Sequence, residues 1–131
     1  MPTDAEFAAE IAKEAGLALL ELRAGFGEVA DETRRMELKD AGDRVAQRIL
    51  SEQLTAARGA DAVLSEEAVD SDARLSADRV WIIDPLDGTD EYSQGRTDFA
   101  VHVALWQRAS GETGGLTDAV VDVPALGEVW R

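Results

Sequence analysis

At 131 residues the chain has room for one domain and little more. It has no cysteine and a single histidine, His102, which excludes disulfides, thiolate metal sites, cysteine nucleophiles and multi-histidine clusters; any metal must then be held by oxygen, which favours magnesium, calcium or manganese. Asp and Glu total 27 against 13 Lys and Arg, a net charge of −14, and a surface that acidic turns away nucleic-acid phosphates and anionic membranes.

The hydrophobic fraction, 45%, is enough for a core. The start, Met1-Pro2-Thr3-Asp4-Ala5-Glu6, is acidic where a signal peptide would be basic and then apolar. No apolar run is long enough to cross a bilayer, so a soluble cytoplasmic protein is expected. Thr3 and Glu6 have capping-box spacing, and Phe7, Ile11, Ala15, Ala18, Leu19 and Leu22 recur at helical intervals up to a stop at Gly25. A polar stretch through Arg34-Arg35 leads to a short extended segment over 36–39. A second helix is predicted from about Asp40 to Ala57, burying Val45, Ile49, Leu50 and Leu54.

The pattern then turns to strands. Ala62-Val63-Leu64 is a brief strand running into Ser65-Glu66-Glu67, and 70–78 reads as an acidic surface loop in which Asp70 and Asp72 are loop charge. Arg79-Val80-Trp81-Ile82-Ile83 is a buried strand that delivers Asp84-Pro85-Leu86-Asp87-Gly88-Thr89. From Asp98 the residues alternate: Phe99, Val101, Val103 and Leu105 point one way, Ala100, His102, Ala104 and Trp106 the other. Both sets are largely apolar, which predicts cover on both faces. Thr117 to Val123 and Gly127 to Trp130 form a hairpin through Pro124-Ala125-Leu126. Two helices followed by strands give an α+β class, with the helices packed on a mostly antiparallel sheet.

Asp84-Pro85-Leu86-Asp87-Gly88-Thr89 carries the chemistry. Pro85 stiffens the turn and Gly88 permits a tight backbone, so the carboxylates of Asp84 and Asp87 can converge with the carbonyl of Leu86 between them. That is an all-oxygen donor set of the kind hard cations prefer, and the amides of Gly88 and Thr89 could hold a phosphate oxygen if they open a helix. Asp and Gly are also ordinary turn formers, so a purely structural turn stays open at this level. A DxDGT aspartyl-phosphate site is excluded because Pro85 stands where the nucleophile belongs. An EF-hand is excluded because Gly95 occupies the twelfth position, where the loop needs Glu.

Trp81-Ile82-Ile83-Asp84-Pro85-Leu86-Asp87-Gly88-Thr89 resembles the first signature of the inositol monophosphatase superfamily. Ser65-Glu66-Glu67 resembles that family's Gly-Glu-Glu segment, Lys39-Asp40-Ala41-Gly42-Asp43 the opening of its second helix, and Ala119 to Pro124 with Glu128-Val129-Trp130 its hairpin. Leu-Lys-Asp-Ala-Gly-Asp, Leu-Ser-Glu-Glu and Ala-Val-His-Val-Ala-Leu-Trp look most like the 3′(2′),5′-bisphosphate nucleotidase branch.

The resemblance spans residues 1–131 and implies a metal-binding N-terminal half whose family C-terminal half is absent. It implies a phosphatase in which Glu66, Asp84, Asp87 and the Leu86 carbonyl hold Mg2+, Thr89 orients and deprotonates water, Asp43 assists as an acceptor, and Glu66 shares in catalysis. Gly88 and Thr89 would bind the substrate phosphate. The implied substrate is a phosphorylated small molecule, 3′-phosphoadenosine 5′-phosphate first and inositol monophosphate second, with neither nucleic acid nor membrane as a partner. Alternatives of another class are a metal-binding chain without turnover, which an exposed sheet edge could pair into a homodimer, and an acidic calcium module.

Where the nucleotidase branch has Lys or Arg after Gly-Thr, this chain has Asp90, an anion beside the phosphate site unless it points away or a cation bridges it. Asp118 and Asp122 lack the Trp-Asp context of the family's further metal ligand. His102 reads as a packed or hydrogen-bonded histidine, Arg96 as either a phosphate-reaching or a plain surface arginine, Asp43 alternatively as a first-turn helix acid, and Glu67 as a solvated neighbour of Glu66.

Overall fold

The computed structural model describes residues 2–65, 76–108 and 114–131. Helix α1 is Asp4–Phe26 and α2 is Glu32–Arg58; strands are β1 Ala62–Ser65, β2 Arg79–Asp87, β3 Ala100–Gln107, β4 Gly115–Val123 and β5 Glu128–Trp130. A short helix α3, Thr89–Ser93, sits between β2 and β3, and a single 3₁₀ turn, Pro124–Leu126, joins β4 to β5. No described helix is long and apolar enough to cross a membrane.

Thr3 caps α1 as its spacing predicts, accepting from the Glu6 amide at 3.1 Å. The helix runs past Gly25 and stops at Gly27, whose φ of 67° suits a residue without a side chain. Helix α2 differs more from expectation. It begins at Glu32, not near Asp40, and 36–39 is helical rather than extended. Asp31 caps it, accepting from the Arg34 amide at 2.8 Å, and Arg34–Glu37 and Arg35–Glu32 pairs lace its first turns. Those turns point to water and therefore carry no apolar stripe. The buried line is Leu38, Gly42, Ala46, Leu50 and Leu54, one i+4 ridge, while Val45 and Ile49 flank it.

The sheet runs β1-β2-β3-β4-β5, with β1 parallel to β2 and every other neighbour antiparallel. The α+β architecture is therefore the one expected. Trp81, Ile83, Val101, Val103, Leu105 and Val120 face the helices and form the core with Phe7, Ile11 and Leu19. The other face of β3 is not fully covered as its alternation suggested: His102, Ala104 and Trp106 stay half-buried, and Ile82 beside them is 36% exposed.

Candidate active site

The site is built at the end of β2. Asp84 is in register with His102 and Asp87 with Ala100, and the register slips between them. The slip is where Pro85 and Leu86 turn inward and become buried, so the two acids flank an anchored segment. Gly88 follows at φ 84°, ψ 45°, a left-handed conformation, and a Cβ there would lie 3.0 Å from the Asp98 carbonyl oxygen. The chain can then turn into α3 with Thr89 as its first residue.

Helix α2 brings the next group. A Cβ on Gly42 would meet Tyr92 Cε2 at 2.9 Å and Leu86 Cδ2 at 3.0 Å, so only glycine lets α2 approach the turn this closely. Asp43, the next residue, thereby comes within reach of Thr89: Thr89 Oγ1 lies 3.4 Å from Asp43 Oδ1 and 3.3 Å from the Leu86 carbonyl oxygen. A hydroxyl has one proton, so Thr89 donates to one of these acceptors at a time and keeps its lone pairs for a water. Asp43 lies three turns inside α2, too far from the helix start to act as a first-turn acid.

Asp87, with its carboxylate 61% exposed, meets His102, whose Nε2 is 3.1 Å from Asp87 Oδ2. His102 is thus the hydrogen-bonded histidine that its strand position suggested. Asp90 does not stand as an uncompensated charge: Lys39 reaches across from α2 to pair with it and, helped by Arg35, holds its carboxyl below the usual range. Arg96 is engaged by Asp98 through two hydrogen bonds of 2.9 Å, which fits the surface-arginine reading.

Asp122 is buried on β4, and loss of water pushes its carboxyl up, with Lys13 pulling the other way. Glu66, Glu67, Asp70 and Asp72 lie outside the described residues. Ser65, which precedes Glu66, pairs with Ile83, which precedes Asp84, and donates to Gln47 Oε1 on α2 at 2.6 Å.

Two supports carry no signal in the sequence. Arg23, on α1, donates to the carbonyls of Tyr92 (3.1 Å) and Arg96 (2.7 Å) and stacks over Tyr92 and Phe99, fixing the turn after α3. Tyr92 donates to the Leu19 carbonyl at 2.6 Å, and burial pushes its phenol up to about 12. Both contacts join residues about 70 positions apart.

Among the described residues no three acids or histidines form a metal cluster. The donors at the strand end are nevertheless all hard oxygens: two carboxylates, the Leu86 carbonyl and a hydroxyl. By donor chemistry they fit a hard divalent cation.

Residues 2–131 match the model of the inositol monophosphatase family. The chain is 55% identical over 135 aligned residues to the 3′-phosphoadenosine 5′-phosphate phosphatase of Mycobacterium leprae, covering 98% of itself and 48% of that protein. It thus spans about half the length of the curated relatives it matches. The structure of CysQ from Bacteroides thetaiotaomicron, described as a bacterial member of the inositol monophosphatase family, superposes with a TM-score of 0.72 at 29% identity over 96% of this chain and 44% of that one. Inositol monophosphatase-II from Staphylococcus aureus shares the fold at a TM-score of 0.77 and 20% identity, over 94% and 43%. The chain belongs to the inositol monophosphatase family.

Proposed function

We propose that residues 1–131 supply the metal-binding and water-orienting part of a magnesium-dependent phosphatase that removes a phosphomonoester from a small metabolite in the cytoplasm. The favoured reaction is 3′-phosphoadenosine 5′-phosphate to AMP, the substrate named for the Mycobacterium leprae relative. Metal dependence is general in this family. The observation that carries the reading is the reach of Thr89 Oγ1 to both Asp43 and the Leu86 carbonyl, the backbone oxygen that lies between Asp84 and Asp87 in the chain.

Glu66, Asp84, Asp87 and the Leu86 carbonyl would hold Mg2+, which supplies acidity to water and countercharge to phosphoryl oxygens. Thr89 passes its hydroxyl proton toward Asp43 and accepts one from the attacking water, whose position it thereby fixes. His102 holds the Asp87 carboxylate in place. Gly88 and Thr89 receive the substrate phosphate. The chemistry needs no covalent nucleophile, and Pro85 stands where one would be.

Inositol monophosphate is the second substrate reading, favoured by the family name and by the Staphylococcus aureus neighbour. A chain that binds metal without turnover, alone or as a homodimer, is the reading from another class, motivated by the half-length match. Phosphate release from 3′-phosphoadenosine 5′-phosphate and inositol 1-phosphate, with and without magnesium, separates the three. Magnesium-dependent release that Asp87→Asn abolishes supports the phosphatase, and the preferred substrate fixes the branch. A folded protein that releases phosphate from neither substrate overturns it.

A further inference from the structure

Helix α3 has five residues, too few to hold a helix by its own backbone hydrogen bonds. Its first residue is Thr89, whose hydroxyl lies 3.4 Å from Asp43 Oδ1 and 3.3 Å from the Leu86 carbonyl oxygen. An O–H···O bond ordinarily spans about 2.7 Å. Both contacts are therefore long, and a small outward shift of α3 breaks them. Where Thr89 stands depends on what holds α3 from outside.

One turn of α1 does this. Leu19 and Arg23, four residues apart, lie on the same face of that helix. The Leu19 carbonyl accepts from the hydroxyl of the fully buried Tyr92 at 2.6 Å. The half-buried Arg23 donates through Nη1 to the Tyr92 carbonyl at 3.1 Å and the Arg96 carbonyl at 2.7 Å. Its guanidinium also lies 5.3 Å and 4.8 Å from the ring centres of Tyr92 and Phe99. Tyr92 closes α3 back on the turn, its amide donating to the Gly88 carbonyl at 2.9 Å. Arg23 thus grips one end of the segment whose other end is Thr89. Among the described residues it makes no hydrogen bond or ion pair with Asp84 or Asp87.

We infer that Arg23 is a positioning residue for the hydrolysis proposed above: through Tyr92 it keeps the Thr89 hydroxyl within reach of Asp43 and the Leu86 carbonyl, and it takes no part in holding the cation. The inference rests on the reading of Thr89 as the group that orients water.

The test uses the whole chain and two variants. Arg23→Met keeps an apolar stem and loses every donor, and Arg23→Lys keeps the charge but not the planar fork. Phosphate release from 3′-phosphoadenosine 5′-phosphate is measured while magnesium is varied. Arg23→Met should lower kcat by roughly tenfold or more and leave the magnesium concentration for half-activation within about twofold. Arg23→Lys should fall in the same direction by less, and it stands in if the methionine variant does not fold. A second readout needs no turnover. In the chain without substrate, Asp43→Asn should shift the NMR methyl resonance of Thr89, and adding Arg23→Met or Arg23→Lys should shrink or abolish that shift. If the parent releases no phosphate, the phosphatase reading fails, and the coupling between Asp43 and Thr89 still decides what Arg23 does. The inference is overturned if both variants keep the parent's kcat, or if the magnesium requirement rises in step with the loss. It is equally overturned if the Thr89 shift is absent from the parent or survives both substitutions.

Discussion

The two ends of strand β2 are built on opposite electrostatic plans. At its start Arg79 donates to Asp61 at 3.1 Å, to Asp4 at 2.9 Å and to Gln107 at 3.1 Å, while Arg58 reaches Asp4 and the buried Trp81 donates its indole N–H to Asp61. Every acid there has an arginine, and the result ties both helices to the sheet. At its finish Asp84 and Asp87 bracket the buried Pro85-Leu86 step, the Leu86 carbonyl oxygen lies 3.3 Å from the Thr89 hydroxyl, and the one ion-pair partner of Asp87 among the described residues is His102. The same strand therefore pairs its acids with arginines at its start and, at its finish, presents oxygen donors whose chemistry fits a hard cation.

This contrast predicts a clean separation of effects. On the proposed mechanism Thr89→Ala removes the proton acceptor of the attacking water and should lower kcat by roughly a hundredfold or more, with a melting temperature close to the parent's. Asp61→Ala should do the reverse. It leaves the indole N–H of a fully buried Trp81 without its acceptor and takes one partner from Arg79, a loss of about 2–3 kcal/mol in denaturant unfolding. Activity per folded molecule should not change. If Asp61→Ala altered kcat, or Thr89→Ala lowered stability as much, the division between the two ends would be wrong.

The strand leading into Asp84–Thr89 was legible in sequence because its signal is local, a β-branched run followed by Asp, Pro, Asp, Gly and Thr within six positions; its end was not, since β2 runs on to Asp87 rather than stopping at Ile83. The α+β class was legible for the same reason, from period-3.6 segments followed by period-2 segments. The start of α2 was not, because its first turns are stabilised by Asp31 and by charge pairs rather than by burial, so no apolar periodicity marks them. The geometry that brings Asp43 to Thr89 was equally hidden. It depends on Gly42 against Tyr92, and a glycine's value as an open space appears only when the element filling that space is known. Lys39 meeting Asp90 belongs with these: the sequence shows an anion beside the site, and the fold supplies the cation.

Gly42→Ala probes the joint between the two plans. The added methyl meets Tyr92 and Leu86 at 2.9 and 3.0 Å, an overpacking that costs about 1–3 kcal/mol, partly offset by the better helix propensity of alanine, about 1 kcal/mol. The net loss should be about 1 kcal/mol by thermal unfolding. Because α2 must back away to relieve the contact, kcat should fall as well, unlike in Asp61→Ala. A stability loss with full activity would mean that the Asp43–Thr89 approach is not needed for turnover.

The smallest effect lies at the start of β2 and is a matter of pH. The Arg79 guanidinium, with help from Arg58, holds the Asp4 carboxyl below its ordinary value of 3.8. The folded state therefore favours the ionised form. The stabilisation is fully present above the unfolded value near 3.8 and is lost as pH falls through the lower folded value. Asp4 is partly exposed, so screening keeps the contribution to at most about 1 kcal/mol. Asp4→Asn should lower stability slightly at neutral pH, lose that difference progressively in acid, and flatten the acid limb of unfolding measured by circular dichroism. Asp122 has the opposite sign, because burial raises its carboxyl and the folded state favours the protonated form. Asp122→Asn should therefore gain stability at neutral pH over the parent and lose that advantage as the parent's carboxyl protonates in acid. A parallel response of the two variants to pH would show that pairing and burial do not divide these acids as the structure places them.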